Sequence, residues 1–138
     1  MARFDPETYS DAVAFARIGE GSLGGKARGL AFMNSMILKH RLYDKHANVR
    51  IMIPRSVVIA TDYFDDFIRL NGLKYIISQE FSDEEILSEF VSSTVPARLQ
   101  QELKAYIQTV RTPLAVRSSS KLEDSHYQPF AGIYSTYM

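Results

Sequence analysis

Two segments that lie far apart in the sequence carry groups that could bind a phosphate. Leu23-Gly24-Gly25-Lys26 combines two glycines, whose backbone can pass close to a ligand, with a mobile cation. Arg117-Ser118-Ser119 sets two hydroxyl donors beside a guanidinium, whose planar fork can donate two parallel hydrogen bonds to a phosphate. Both segments suit an anion site. A flexible loop with a solvated lysine, and an ordinary polar loop, stay open as alternatives.

The residues that follow Arg117 add further polar groups of the same kind. Glu123 and Asp124 could orient the arginine or contact a ribose, or they could form a surface salt bridge that contributes little. Gly132, in the sequence Phe-Ala-Gly, lies shortly before Thr136. A glycine turn with exposed N–H groups can cradle phosphate oxygens, although a simple β-turn glycine would have the same sequence.

Three well-known motifs match in part and are rejected. Gly19 to Gly24 reads GxGxxG, but that fingerprint needs a preceding buried strand, and the preceding SDAVAFARI favours a helix. A P-loop requires glycine where Glu20 stands and Ser or Thr where Ala27 stands. Ser118-x-x-Lys121 resembles the acyl-serine pattern but lacks its two companion motifs.

Composition excludes several other classes of function. The 138 residues suffice for one domain, and Lys+Arg and Asp+Glu balance at 16 each, without a basic stripe. We therefore expect neither nucleic acid nor a membrane as a partner. The cysteine count of 0 removes thiolate chemistry and disulfides. No apolar run approaches a signal peptide or a membrane span, which predicts a cytoplasmic protein.

Hydrophobic periodicity predicts an α/β (α+β) fold with a mixed sheet and flanking helices. Helices are expected near 26–41, 62–71, 83–92 and 96–110, and a short one after Ser10 that includes Ala16. Extended segments are expected at 49–53, 56–60 and 114–116, and again from Ile133. Because the last strand has no turn or cap after it, we expect the chain to be part of a longer protein.

Three segments together resemble one family. The segment from Leu23 to Leu30 is similar to the glycine-lysine segment of phosphoenolpyruvate synthase and pyruvate phosphate dikinase. IPRSVVIAT, from Ile53 to Thr61, resembles their V-P-x-G-F-V-V-T-T strand. AVRSS from Ala115, followed by ED, FAG and TY, resembles their A-V-R-S-S-A-x-x-E-D … F-A-G-x-x-x-T pattern. The order and spacing of the segments match over nearly the whole chain.

The resemblance implies that residues 1–138 are the N-terminal part of an ATP-grasp-like nucleotide-binding domain. In that family a phosphoryl group passes from ATP to a histidine on another domain. By motif position, Lys26 and Arg117 would contact the ATP phosphates, with Arg117 stabilising charge during transfer, while Gly132 and Thr136 would lie in the phosphate-covering loop. Gly24, Gly25, Ser118, Ser119, Glu123 and Asp124 would support them.

The resemblance also implies that several parts of the active site lie in other segments of the polypeptide. The Mg²⁺ ligands, the adenine-side lobe and the phosphohistidine would lie in a C-terminal part of the same polypeptide, so we expect these residues alone to be inactive. Arg55-Ser56 and Ser120-Lys121-Leu122 depart from the family pattern. A non-catalytic nucleotide-sensing or protein-docking module with the same fold stays open as an alternative.

Overall fold

The strands within the described residues form two small sheets. The structure, a computed structural model, describes residues 2–9, 13, 15–120 and 134–138. Strands β1 (Ala2–Arg3), β2 (Phe15–Ile18) and β3 (Ser56–Ile59) form a parallel sheet in the order β1-β2-β3. Strands β4 (Val116–Arg117) and β5 (Thr136–Tyr137) form a separate antiparallel pair. The predicted α/β class is confirmed, although the described strands divide into a parallel and an antiparallel sheet instead of one mixed sheet.

The helices lie close to where the periodicity predicts them. They are α1 (Gly25–Lys39), α2 (Thr61–Leu70), α3 (Asp83–Ser92) and α4 (Ala97–Thr109), with short 3₁₀ turns at Leu42–Asp44 and Leu73–Ile77. Ser82 begins α3 through the expected capping box, since its hydroxyl accepts from the Glu85 N–H and the Glu85 carboxylate accepts from the Ser82 N–H. Gly72 follows the end of α2 with a φ of 65°, a conformation that favours glycine.

The core lies on both faces of β2. On one face, Ala16 and Ile18 pack with side chains from the N-terminal segment and from helices α2 and α4, namely Phe4, Tyr63, Leu99 and Tyr106. On the other face, Phe15 packs with Ala27 of α1 and with Ile53. Successive side chains of a strand point to opposite faces, so one strand supplies both clusters. Helix α1 therefore covers one face of the sheet, and α2 and α4 cover the other.

The short helix predicted after Ser10 is wrong at its C-terminal end. Phe15 to Ile18 form β2, the middle strand of the parallel sheet, and only Arg17 of this strand is not fully buried. A strand that is covered on both faces lacks the alternation of polar and apolar residues that identifies a half-buried strand. The alanines of this segment also favour a helix, and tertiary packing overrides that preference.

Two predicted buried strands and one core position differ from the structure. Residues 49–53 form no strand, and Val49 and Met52 are more than half exposed while Ile53 is buried. The strand predicted at 114–116 begins only at Val116, which is exposed. Ile107, predicted to face the core, lies on the exposed side of α4. In each case the apolar residue type alone did not determine whether a strand forms or whether the side chain is buried.

Candidate functional site

The glycine-rich loop lies at the carboxyl end of the parallel sheet. It follows β2 and leads into α1, while α2 begins directly after the neighbouring strand β3. The carboxyl ends of parallel strands form the edge at which α/β folds bind their ligands, because helix N-termini and loops converge there. The glycine loop thus meets the N-termini of two helices, α1 at its own end and α2 beside it.

The first turn of α1 contacts the end of the segment that carries Arg117. The Ser119 hydroxyl accepts a hydrogen bond from the backbone N–H of Ala27 at 3.1 Å. Gly24, the N-cap of the helix, lies so close to Ser119 that a Cβ built on it would overlap the Ser119 carbonyl and lie 2.6 Å from its hydroxyl oxygen. The two segments that suit an anion site, far apart in the sequence, therefore meet at the start of α1.

This contact uses one of the backbone N–H groups at the start of α1. The first N–H groups of a helix have no partner within the helix, but the Ala27 N–H is already bound by Ser119. Lys26 is half-buried in the first turn. Lys26 and Ser118 both have interaction partners in the structure, so neither is a free side chain.

Arg117 lies opposite Thr136. The two residues are register partners in the antiparallel pair of β4 and β5, and both are exposed. Arg117 borders an open groove of about 410 Å³ that is also lined by Val116, Ser118, Tyr134, Ser135 and Tyr137. Two of the predicted ATP-binding residues are therefore neighbours, and the arginine is exposed although it follows apolar residues.

Gly132, Glu123 and Asp124 lie outside the described residues. The structure brings Gly24, Gly25, Lys26 and Ala27 together with Ser119, and it pairs Arg117 with Thr136. That these residues contact ATP stays a prediction. His40 and His46 are exposed, as expected of surface histidines.

The first half of the glycine loop is bound by α2, a contact that the sequence reasoning missed. The Asp62 carboxylate accepts hydrogen bonds from the backbone N–H groups of Glu20 and Gly21, both at 2.9 Å. The Thr61 hydroxyl accepts one from the Ser22 N–H at 3.0 Å. Residue type alone favours Thr61 as the N-cap of α2, and Asp62 beside it suits the positive end of the helix. Ala60 takes the N-cap position instead, leaving the Thr61 hydroxyl to the loop.

The environment of Asp62 favours its charged form. Partial burial raises the pKa of this carboxyl, but hydrogen bonds from the backbone N–H groups of Glu20 and Gly21 lower it, as do its own N–H and that of Tyr63. The net result is a pKa below the ordinary value of a carboxyl. Asp62 therefore stays ionised at neutral pH, and its negative charge lies against the N–H groups of the loop.

The GxGxxG match has a structural explanation other than dinucleotide binding. The reason given above for rejecting it is wrong, since a strand does precede Gly19. However, all of Gly19 to Gly24 lies between strand and helix, so the tight strand–turn–helix of the fingerprint is missing. The Asp62 carboxylate occupies the N–H groups of Glu20 and Gly21.

A charged cluster joins the loop to α4. Glu20 pairs with Arg3 and with Arg17, both at 3.3 Å, and Arg3 also pairs with Glu102 of α4 at 3.2 Å. Arg3 and Glu20 are at least half exposed, so the pair between them contributes little stability. Behind them, the Tyr63 hydroxyl lies close to Glu102 in the core without a hydrogen bond of ordinary geometry.

Within the described part of the chain, no group of three or more acidic or histidine side chains comes together as metal ligands would. None of the helices within residues 2–9, 13, 15–120 and 134–138 is both long and apolar enough to cross a membrane.

Comparison with known proteins identifies the family. Residues 20–138 match the AMP/ATP-binding domain of pyruvate phosphate dikinase. The chain belongs to this family. The resemblance drawn from the three motifs is thereby confirmed, and with it an AMP/ATP-binding domain of the dikinase type. No curated protein and no solved structure matches the chain. The assignment of an ATP-grasp subdomain stays a prediction.

Proposed function

We propose that this chain is the phosphate-side part of an ATP-binding domain that serves a dikinase-type phosphotransferase. The ATP phosphates would lie between the first turn of α1 and the β4–β5 pair. Lys26 would neutralise phosphate charge from α1. Arg117 would donate its fork of hydrogen bonds from β4, and Thr136 would add a hydroxyl donor from β5.

One observation carries this proposal. Ser119 holds the end of the Arg117 segment against the start of α1, through its hydroxyl on the Ala27 N–H and its carbonyl against Gly24. Both segments have residue types that suit phosphate, and a simple polar loop gives no reason for them to meet. Family membership supports the nucleotide as the ligand.

The mechanism assigned to these residues is positioning and electrostatic stabilisation. Phosphoryl transfer spreads charge over the equatorial oxygens of the transferred group, and cations fixed around that group stabilise it. Arg117 would hold the transferred phosphoryl group in line with the attacking and leaving atoms. Lys26 would neutralise phosphate charge that would otherwise repel an incoming nucleophile. The nucleophile would be a histidine on another domain, and Mg²⁺ and the adenine would be held by other segments of the polypeptide.

An NMR titration of the chain with ATP tests the proposal. We expect shifts of backbone amides at Gly24, Gly25, Lys26, Arg117 and Thr136, with a dissociation constant weaker than about 1 μM, since part of the site would be elsewhere. Lys26→Ala should weaken binding about tenfold or more. Lys39→Ala is the matched control, because Lys39 is an exposed lysine in the last turn of the same helix.

Two results would contradict the proposal. Shifts confined to residues outside these two segments would place the nucleotide elsewhere. Equal affinities of the Lys26→Ala and Lys39→Ala variants would remove the lysine from the site. A module that senses nucleotides without transferring phosphate would show the same shifts, so transfer to histidine in the complete polypeptide, lost on Lys26→Ala, separates the two functions.

A further inference from the structure

The glycine loop is held at two points, one on α2 and one on Ser119. At its first half, Glu20, Gly21 and Ser22 donate backbone hydrogen bonds to the side chains of Asp62 and Thr61. A further bond runs in the reverse direction, from the Thr61 N–H to the Ser22 carbonyl at 3.0 Å. At its second half, the loop becomes the first turn of α1 and contacts Ser119.

The attachment to α2 leaves no room for a side chain at Gly19 or at Gly21. A Cβ on Gly19 would lie 2.6 Å from one Asp62 carboxylate oxygen, and a Cβ on Gly21 would lie 2.8 Å from the Thr61 hydroxyl oxygen. Real Cβ atoms essentially never come within 3.0 Å of such neighbours. The loop backbone therefore lies directly on the N-terminus of α2, and Asp62 is the charged group at the centre of that contact.

We propose that Asp62 is a positioning residue for nucleotide binding: it fixes the first half of the glycine loop so that Gly24 to Lys26 enter α1 in the orientation that receives phosphate. This inference rests on the proposed function. Two short hydrogen bonds from consecutive N–H groups to one carboxylate fix both the position and the direction of the loop backbone. Because Asp62 accepts from these N–H groups, they are not available to a phosphate.

A purely structural role is the alternative that the experiment must separate. Asp62→Asn preserves size but removes charge, and its amide NH₂ would face one of the two N–H donors. Asp65→Asn is the matched control, because Asp65 is an exposed carboxylate in the same helix. The readouts are hydrogen exchange at Glu20 and Gly21, the amide shifts of Gly24 to Lys26 without nucleotide, and the dissociation constant for ATP.

We expect Asp62→Asn to accelerate exchange at Glu20 and Gly21 about tenfold or more and to shift the amides of Gly24 to Lys26. We also expect it to weaken ATP binding about tenfold in protein that is still folded. Unchanged exchange would overturn the inference. So would accelerated exchange combined with an affinity equal to that of Asp65→Asn.

Failure of the proposed function is distinguishable from failure of this inference. If the unmodified chain gives no ATP-dependent shifts, the nucleotide proposal fails. The inference then stands or falls on whether Asp62→Asn moves the Gly24 to Lys26 amides in the nucleotide-free protein. If Asp62→Asn does not fold, Asp62→Glu is measured by the same readouts, since it keeps the charge and displaces the carboxylate by one methylene. An Asp62→Glu variant identical to the unmodified chain would overturn the inference.

Discussion

Replacing Gly24 with alanine tests whether the two phosphate segments meet as the structure has them. The backbone at Gly24 has φ −68° and ψ 176°, which any residue adopts, so alanine would cause no local strain. Only the proximity of Ser119 excludes a side chain there. Gly29 is the matched control, because it lies in the same helix and a Cβ built on it meets nothing within 4 Å.

The magnitude follows from what the extra methyl group must displace. The obstacle is the Ser119 backbone, so the segment that carries Arg117 has to move away from α1. Overpacking of this kind costs roughly 1–3 kcal/mol. Loss of the hydrogen bond from the Ala27 N–H to Ser119 adds about 0.5–1.5 kcal/mol. Gly29→Ala should instead stabilise the helix by about 0.5–1 kcal/mol, because alanine loses less backbone entropy.

Urea denaturation and the ATP titration measure the two consequences. We expect Gly24→Ala to lower the free energy of unfolding by roughly 1.5–4.5 kcal/mol, the sum of those two costs, or less if the segment detaches without unfolding the core. In either case ATP-dependent shifts at Arg117 and Thr136 should be lost, while Gly29→Ala should retain them. A Gly24→Ala variant as stable as Gly29→Ala, with unchanged ATP shifts, would refute the contact and the site built on it.

Three further predictions concern single groups. Arg117→Lys should keep the charge but lose the two parallel hydrogen bonds to phosphate. Phosphoryl transfer by the complete enzyme should therefore fall far more than its stability. An Arg117→Lys enzyme as active as the control Arg111→Lys would contradict this. Ser82→Ala should remove the capping box of α3 and cost about 0.5–2 kcal/mol in urea denaturation, whereas Ser88→Ala in the same helix should cost less. Burial, and then the nearby Glu102 carboxylate, raise the pKa of the Tyr63 hydroxyl to about 12 from the ordinary tyrosine value of 10.0. The neutral form is thus favoured in the folded state, and this stability is fully present below pH 10 and lost as the pH rises towards 12. Tyr63→Phe should flatten that loss in denaturation curves recorded between those pH values, and an unchanged slope would show that the hydroxyl titrates as in the unfolded chain.

The elements that are set by local patterns were predictable from the sequence. The helices α1 to α4 each carry an apolar stripe at helical spacing, and several have clear boundary signals, such as Ser82 at the start of α3 and Gly72 after α2. These signals act within a few residues of the element that they define. A single sequence is therefore sufficient to place such helices to within a residue or two.

The middle strand could not be predicted in the same way. Phe15 to Ile18 become a strand because β1 and β3 pair with them on either side, and both partners are distant in the sequence. Their burial on both faces removes the alternating pattern that would indicate a strand. The exposure of Val116 and Ile107 is likewise decided by which neighbours pack against them, and residue type does not contain that information.

The candidate site likewise has a part that the sequence predicts and a part that only the folded structure shows. Motif resemblance predicts Lys26, Arg117 and Thr136 as site residues, because their order and spacing match a family pattern. It gave no indication that Ser119 would bind the first turn of α1 or that Asp62 would hold the loop. Those contacts join residues that are far apart in the chain and have ordinary side chains, so only the folded structure relates them.

The three glycines of the GxGxxG match each have a separate packing reason. Gly19 has a φ of 94° and lies against the Asp62 carboxylate, and Gly21 lies against the N-terminus of α2. Gly24 lies against Ser119. A dinucleotide fingerprint would require these glycines to approach a pyrophosphate, whereas here the first two approach a carboxylate of the protein itself. The same spacing thus arises from packing between helices and loop, and the phosphate-binding role that we propose is left to the third glycine and to Lys26 beside it.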